Sequence, residues 1–375
     1  MTIGLLMPAT GAPDQRQYRV VRLVGRPIIA TPAKPLSLRL AGIDQYRGIT
    51  KKRACLRVAL RLSAISRVDG LFSRTGPSPF MPGEDFGFER WLGEIRGKLG
   101  DSSSRATVIW PQLVGRKRLY VHLMSPSGAP TAFCKLGLDV RNAGRLRTEL
   151  EARAELSERR LAVTRVARIL HQEDAADFCC IAYEPFPPGL VPLKHSWREA
   201  APALAEISGK VRRIGLAELE SYAWWQRFTV RRPRLGRTFL RQVDDAAARP
   251  MTVCRVQGDA TPSNIFRSPA GIWICDWEFS SPSGPRRTDE LSYYLAANHY
   301  QCLLRPAAAL AACVRRFAPE SDLDSIGELV MAMAFLCGRD DPRALKLASR
   351  WRWLAPAPAR LSEVQIGATS APLRL

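Results

Sequence analysis

The sequence predicts an α+β protein of two lobes, a small one on an antiparallel sheet and a larger, mainly helical one, behind a basic N-terminal extension. Short runs of β-branched and aromatic residues (RATVIWPQL, RLYVHLMS, PTAFCKLGL) fill 105–138, with turns at Val114-Gly115-Arg116 and Pro126-Ser127-Gly128. From 190 to 250, and again at the C-terminal end, the patterning is helical. Between these regions PFPPG (185–189) breaks the chain and serves as the hinge. The expected boundaries are therefore 1–100, 101–186, 187–355 and an Ala/Pro-rich tail, 356–375, expected to be mobile.

Within the extension, RQYRVVRLVGRPIIA (16–30) contains a short strand. TKKRACLRVALRLSAISRV (50–68) spaces Leu56, Val58, Leu60, Leu62 and Ile65 among Lys and Arg, the pattern of a basic amphipathic helix. Such a helix either packs on its neighbour with the basic side out or lies on an anionic membrane surface. SRTGPSPFMPGEDFG (73–87) reads as a linker, and FERWLGEIRGKLG (88–100) as a short helix ending at Gly. After the three strands, RNAGRLRTELEARAELSERRL (141–161) is a helix, and TRVARILH and FCCIAYE are strand-like. RRPRLGR (231–237) interrupts the helical stretch, QGDATPSN (257–264) sits in a strand, loop, strand pattern, and LVMAMAFLCG (329–338) is a buried helix.

With 46% hydrophobic residues a large core is expected, and no apolar run approaches the ~20 residues that span a bilayer. Nine scattered cysteines, without a CxxC pair or a basic signal segment, point to reduced thiols in a cytoplasmic protein and away from zinc. The net charge of +21 is uneven, with 17 basic against 7 acidic residues in 1–100. Such a field attracts nucleotides, acidic substrates and anionic membranes alike. Nucleic-acid binding has charge alone behind it, since no interleaved basic-aromatic face and no known module is present.

Residues 256–279, VQGDATPSNIFRSPAGIWICDWEF, carry the chemistry. Phosphoryl transfer needs a group to orient or deprotonate the attacking hydroxyl, magnesium on the phosphates and a cation to steady the nucleotide. Asp259, in a tight loop after Gly258, is the candidate base. Asn264, five residues on, offers magnesium a neutral oxygen, and Asp276, just beyond the apolar strand GIWIC, a carboxylate. Glu278 points the same way if the chain stays extended, as a further metal-shell group or a loop anchor. Lys135 closes the apolar run TAFCK and needs a partner and an anion. Glu149 is the candidate partner with Glu151 as competitor, the two lying about 200° apart on one helix. Asp289 either caps the helix TDELSYYL or braces the loop.

This stretch resembles the aminoglycoside phosphotransferase and choline kinase-like superfamily, relatives of protein kinases, whose signature is similar to HGDxxxxN followed by a strand and DxE. GPRRTDELSYYL (284–295) is similar to the family's GP-x-x-x-D-L segment, and FCKLGLD with RLRTELEARAEL to its Lys strand and Glu helix. The resemblance covers roughly 105–350 and implies a bilobal protein kinase-like fold, ATP and magnesium as cofactors, and a small hydroxylated or aminated acceptor. It places Tyr183 and Phe186 of the hinge AYEPFPPG at the nucleotide. Pro185 has no N–H, so the adenine donor there is Phe186 if Pro185 holds the donor position. Two departures stand out: Gln257 where the family has His, and no glycine-rich phosphate loop around Gly115.

The large lobe holds 26 basic against 18 acidic residues, so a neutral or anionic acceptor such as a sugar or glycan fits better than a polycationic antibiotic. Asp244-Asp245 and Asp340-Asp341 are the candidates for local acidity. The rival from another class is an inactive, kinase-shaped binding protein, suggested by Gln257 and Pro185 and opposed by Lys135, Asp259, Asn264 and Asp276.

Overall fold

The computed structural model describes residues 17–23, 26–46, 51–71, 73–80, 86–111, 117–193, 196–318 and 323–351. The turn at 114–116 and the tail 356–375 lie outside them. In chain order the first half runs β1 (Tyr18–Leu23), β2 (Arg26–Pro32), α1 (Leu36–Gln45), α2 (Lys51–Ile65), β3 (Ser73–Gly76), α3 (Phe88–Lys98), β4 (Arg105–Ile109), β5 (Arg118–Met124), β6 (Pro130–Gly137), α4 (Val140–Ser157), β7 (Thr164–Arg165), β8 (Ile169–Ala175) and β9 (Phe178–Tyr183). The second half runs β10 (Val191–Pro192), α5 (Trp197–Ser208), β11 (Arg212–Ile214), α6 (Leu216–Leu219), α7 (Ala223–Arg231), α8 (Arg237–Ala247), β12 (Met251–Val256), β13 (Ile265–Ser268), β14 (Gly271–Ile274), β15 (Ser281–Pro285), α9 (Thr288–Ala297), α10 (His299–Leu304), α11 (Pro306–Phe317), α12 (Leu323–Gly338) and α13 (Pro342–Arg350). The chain forms two compact units, Met1–Arg147 with Ala167–Pro187, and Thr148–Val166 with Pro188–Leu375. One boundary falls inside PFPPG and another inside α4.

The first unit is built on one eight-stranded sheet, ordered β3-β1-β2-β4-β5-β6-β9-β8. Every neighbouring pair is antiparallel. Residues 18–76, expected as an extension, thus supply three strands of the same sheet, joined through the pairs Ile29–Ile109 and Ala30–Val108. The stretch expected as a linker opens with one of them: β3 pairs with β1 from Tyr18–Gly76 to Val21–Ser73. Alternation explains how both faces are covered, since successive strand side chains point to opposite sides. Val20, Ala30 and Val108 pack with Phe88, Trp91, Leu92 and Ile95 of α3. Val21, Ile29 and Ile109 pack with Ile43 and Tyr46 at α1 and Leu60 and Ala64 of α2.

The second unit is mainly helical. Its centre is α12, buried from Leu329 to Cys337, because an all-apolar helix is stable only with neighbours on every side. Helices α7, α8, α9, α11 and α13 contribute to the core around it. A second cluster joins Ala152 and Leu156 of α4, α5, Ile265, Ile272, Ile274 and Trp277. Two small sheets frame the 257–280 segment, β11-β12-β15 and β10-β13-β14-β7. A sheet-based unit and a helical unit in one chain meet the α+β expectation. Among the described residues no helix is long and apolar enough to cross a membrane.

Integration of the N-terminal strands has a measurable consequence. Ile29 is fully buried, so Ile29→Ala should cost about 2–4 kcal/mol in urea denaturation. A detached appendage would change by less than about 0.5 kcal/mol.

Candidate active site

The buried strand β12 delivers the chain to Gln257, where the backbone turns through Gly258 at φ 80°. A Cβ there would sit 2.1 Å from the Phe279 carbonyl oxygen, so glycine is required on two counts. Asp289, in the first turn of α9, accepts the Gln257 N–H through Oδ2 (2.7 Å) and the Gly258 N–H through Oδ1 (2.8 Å). Of its two expected roles, bracing the loop is therefore the one it performs. Gln257 is fully buried behind the loop. Its Oε1 accepts the Asp259 N–H at 2.7 Å, and its Nε2 donates to the carbonyls of Cys275 (3.0 Å) and Asp276 (2.6 Å). The three partners fix the amide's orientation, since the two carbonyls can only accept.

Asp259 and Asn264 meet as their spacing suggested. Asn264 Nδ2 donates to the Asp259 backbone carbonyl (2.9 Å) and to its Oδ2 (3.0 Å). That turns the amide oxygen of Asn264 into its remaining acceptor, the atom a hard cation would use. Asp276 follows β14 in the left-handed region, φ 62°, a costly conformation for a residue with a side chain. Glu278, two residues on, is buried.

The residue that sequence reasoning missed is Arg339, just after α12. Its Nη2 lies 2.7 Å from Asp259 Oδ1 and 2.8 Å from Asp341 Oδ2, and its Nη1 donates to the Gly258 carbonyl. The guanidinium also stands 5.3 Å from the centroid of the Phe279 ring. Asp341 caps α13 through the N–H groups of Arg343 and Ala344 and pairs with the Arg343 guanidinium at 2.5 Å. Below the loop, buried Arg255 forms a two-pronged ion pair with Glu155 and donates to Ser280 Oγ at 3.0 Å. No local pattern marks these arginines, which lie 81 residues from Gly258 and 100 from Glu155.

Electrostatics sort the acids. Burial pushes the Asp259 carboxyl up, Arg339 pulls it down, nearby Asp276 pushes again, and the net displacement is upward. Asp289 is driven by burial to about 6, against the pull of its two N–H donors. Burial would also raise Asp341, but Arg343 and Arg339 outweigh it and hold that carboxyl well below the usual range. The site thus crowds carboxylates and pairs two of them, Asp259 and Asp341, with arginines.

Among the described residues no group of three His, Cys, Asp or Glu side chains is placed to hold a metal unaided. Magnesium does not require one, because it keeps waters and takes phosphate oxygens beside one or two protein donors. Asn264 and Asp276 carry oxygens of that kind, and Asp276 adds to the upward push on Asp259.

The remaining expected site residues lie on other elements. Lys135 is buried on β6, opposite Tyr120 and Ile181, with Nζ 6.0 Å from the Tyr183 ring centroid. Tyr183 ends β9, and half-buried Phe186 lies 6.0 Å from Phe133, centroid to centroid. Glu149 is buried on α4 whereas Glu151 is exposed. Lys135, Tyr183 and Phe186 belong to the first unit; Glu149, Asp259, Asn264, Asp276 and Glu278 belong to the second.

No protein-family model and no curated protein sequence matches the chain. Solved structures do. A GDP complex of aminoglycoside 2'-phosphotransferase-IIIa matches at 12% identity and TM-score 0.36, over 75% of this chain and 94% of that one. A putative fructosamine-3-kinase from Thermobifida fusca matches at 16% and 0.39, over 65% and 98%. A choline/ethanolamine kinase family protein from Mesorhizobium loti matches at 15% and 0.36, over 74% and 99%. These are the kinds of protein that the 256–295 stretch resembles. At such identities and scores the likeness carries no functional argument, which rests on the loop itself.

The brace is open to test. Asp289→Ala leaves two buried N–H groups without acceptors and should cost about 1–3 kcal/mol in urea denaturation, with Asp289→Asn costing less. The raised carboxyl binds its proton more tightly folded than unfolded, so stability from this group falls as pH climbs from about 4 to about 6. The deficit of the Asn variant relative to wild type should accordingly shrink across that window.

Proposed function

We propose that the protein is a magnesium- and ATP-dependent phosphotransferase acting on a hydroxyl of a small neutral or anionic acceptor, of which a sugar is the simplest example. The observation that carries this is the 257–276 loop. In it Asp259 is held by Arg339 and Asn264, while Gln257 ties the Asp259 N–H to the Asp276 carbonyl. Asp259 is the base: one oxygen faces Arg339 and the other Asn264, and each keeps a lone pair for an acceptor hydroxyl. Arg339 opposes the rise in the Asp259 pKa and so favours the ionised form that a base needs. Asn264 and Asp276 are assigned to magnesium, which when bound would neutralise charge on the transferred phosphoryl group. Glu278 is assigned to the shell behind them. Lys135 is assigned to the nucleotide phosphates, and Tyr183 and Phe186 to the base.

The pairing of three of the four candidate acids, exposed Asp245 being the fourth, bears on the polarity of the acceptor. Asp244 is held by Arg232 in two bonds of 2.8 Å, Asp340 by Arg231, and Asp341 by Arg339 and Arg343. Acids already neutralised in this way offer little to a polycation, which supports a neutral or anionic acceptor. One observation favours a second reading, a nucleotide-binding protein without turnover: both carboxylate oxygens of Asp259 already have a partner.

Calorimetry and turnover separate the readings. Wild type should bind ATP only with magnesium, and Asp276→Ala should weaken binding by about tenfold or more. Asp259→Asn should still bind but lose at least about a hundredfold in kcat on a sugar acceptor. Binding without turnover across a panel of sugars and sugar phosphates would favour the second reading, and no binding at millimolar ATP would sink both. The acid limb of kcat/KM should lie above the ordinary aspartate value of about 3.9, because Asp259 titrates upward.

A further inference from the structure

Helix α2 has two apolar faces, and the fold uses only one. Leu60 and Ala64 are buried and Leu56 packs beside them, against Ile43 and Tyr46 at α1 and Ile28, Ile29 and Ile109 of the sheet. Arg39 of α1 donates to the Ala64 carbonyl at 2.8 Å, and Arg61 pairs with Asp44. These bonds fix which way α2 faces. At 100° per residue, Cys55, Val58, Ala59, Leu62 and Ile65 fall within an arc of about 120° on the opposite side. All five are exposed, Val58 at 53%, Leu62 at 62% and Ile65 at 53%. A stripe of three aliphatic side chains turned to water on an anchored helix marks an interaction surface.

Charge identifies the occupant. Residues 17–80 contain 13 Lys and Arg against two acids, Asp44 and Asp69. Asp44 is engaged by Arg61. A second copy brought face to face would set like charge against like charge. Nucleic acid would satisfy the charge but has no use for the aliphatic stripe. An anionic lipid surface satisfies both, taking the side chains at the acyl boundary and the cations at the headgroups. We propose that α2 seats the protein peripherally on anionic bilayers through Val58, Leu62 and Ile65. This inference stands independently of the phosphotransferase reading.

The test is co-sedimentation of the full chain with large vesicles of phosphatidylcholine alone or with about one-third phosphatidylserine. Sedimentation ultracentrifugation of the protein without lipid runs alongside. The expected result is binding to the anionic vesicles only. The combined variant Val58→Ser, Leu62→Ser, Ile65→Ser should lose at least about fivefold while keeping its circular dichroism and melting temperature, since these side chains touch no core. Three results would overturn the proposal: no binding by wild type, undiminished binding by the variant, or a wild-type dimer that the variant abolishes, which would assign the stripe to a second copy.

Discussion

The candidate site depends on one buried guanidinium. Arg339 takes the Gly258 carbonyl, the Asp259 carboxylate and the Asp341 carboxylate together. Breaking such a buried cluster at one member leaves an uncompensated charge, typically at a cost of several kcal/mol. The position of Arg339 is set by α12, whose run Leu329–Cys337 is buried in the helical core. Through Arg339 the best-packed element of the second unit fixes where the carboxylate of Asp259 stands, and through Asp341 it fixes the start of α13. The geometry of the loop therefore inherits its precision from packing some eighty residues away.

Gln257 shows how a substitution at a buried position can keep a loop's geometry. The position asks for one acceptor facing the Asp259 N–H and donors facing the carbonyls of Cys275 and Asp276. A primary amide supplies one acceptor and two donor hydrogens, whereas neutral imidazole supplies one of each. Here Gln meets the demand more fully than His would, so the departure from the HGD pattern does not by itself argue for lost chemistry. The strain at Asp276 fits the same account, because Gln257 and the β13–β14 pairing hold its backbone on both sides.

The parts of this structure legible in the sequence were those governed by short-range pattern. Alternation marked β4 to β6, unbroken apolar character marked α12, and the five-residue interval brought Asn264 onto Asp259. Pairings between distant segments were not legible. Residues 18–76 read as a separate extension because β3 is four residues long and sits at the head of a Pro/Gly/Ser-rich stretch; only its register with β1 reveals it as a strand. Arg339 was invisible for the same reason, one arginine among many in a basic chain until the fold set it against Asp259. The amphipathic reading of 50–68 captured the helix but not its two apolar faces, since deciding which stripe is inward requires knowing what lies beneath.

Charge was the least decisive property at the level of composition and becomes informative once its pairings are known. A net charge of +21 suits many anions equally. In the second unit, arginines are spent on neighbouring acids: Arg231 and Arg232 on Asp340 and Asp244, and Arg287 on Glu328 at 2.9 Å. In residues 17–80 the acids are few, two against 13 Lys and Arg, and α2 there carries an exposed aliphatic stripe. The same residue type is thus distributed in two ways, set beside acids in the second unit and in excess over them along residues 17–80.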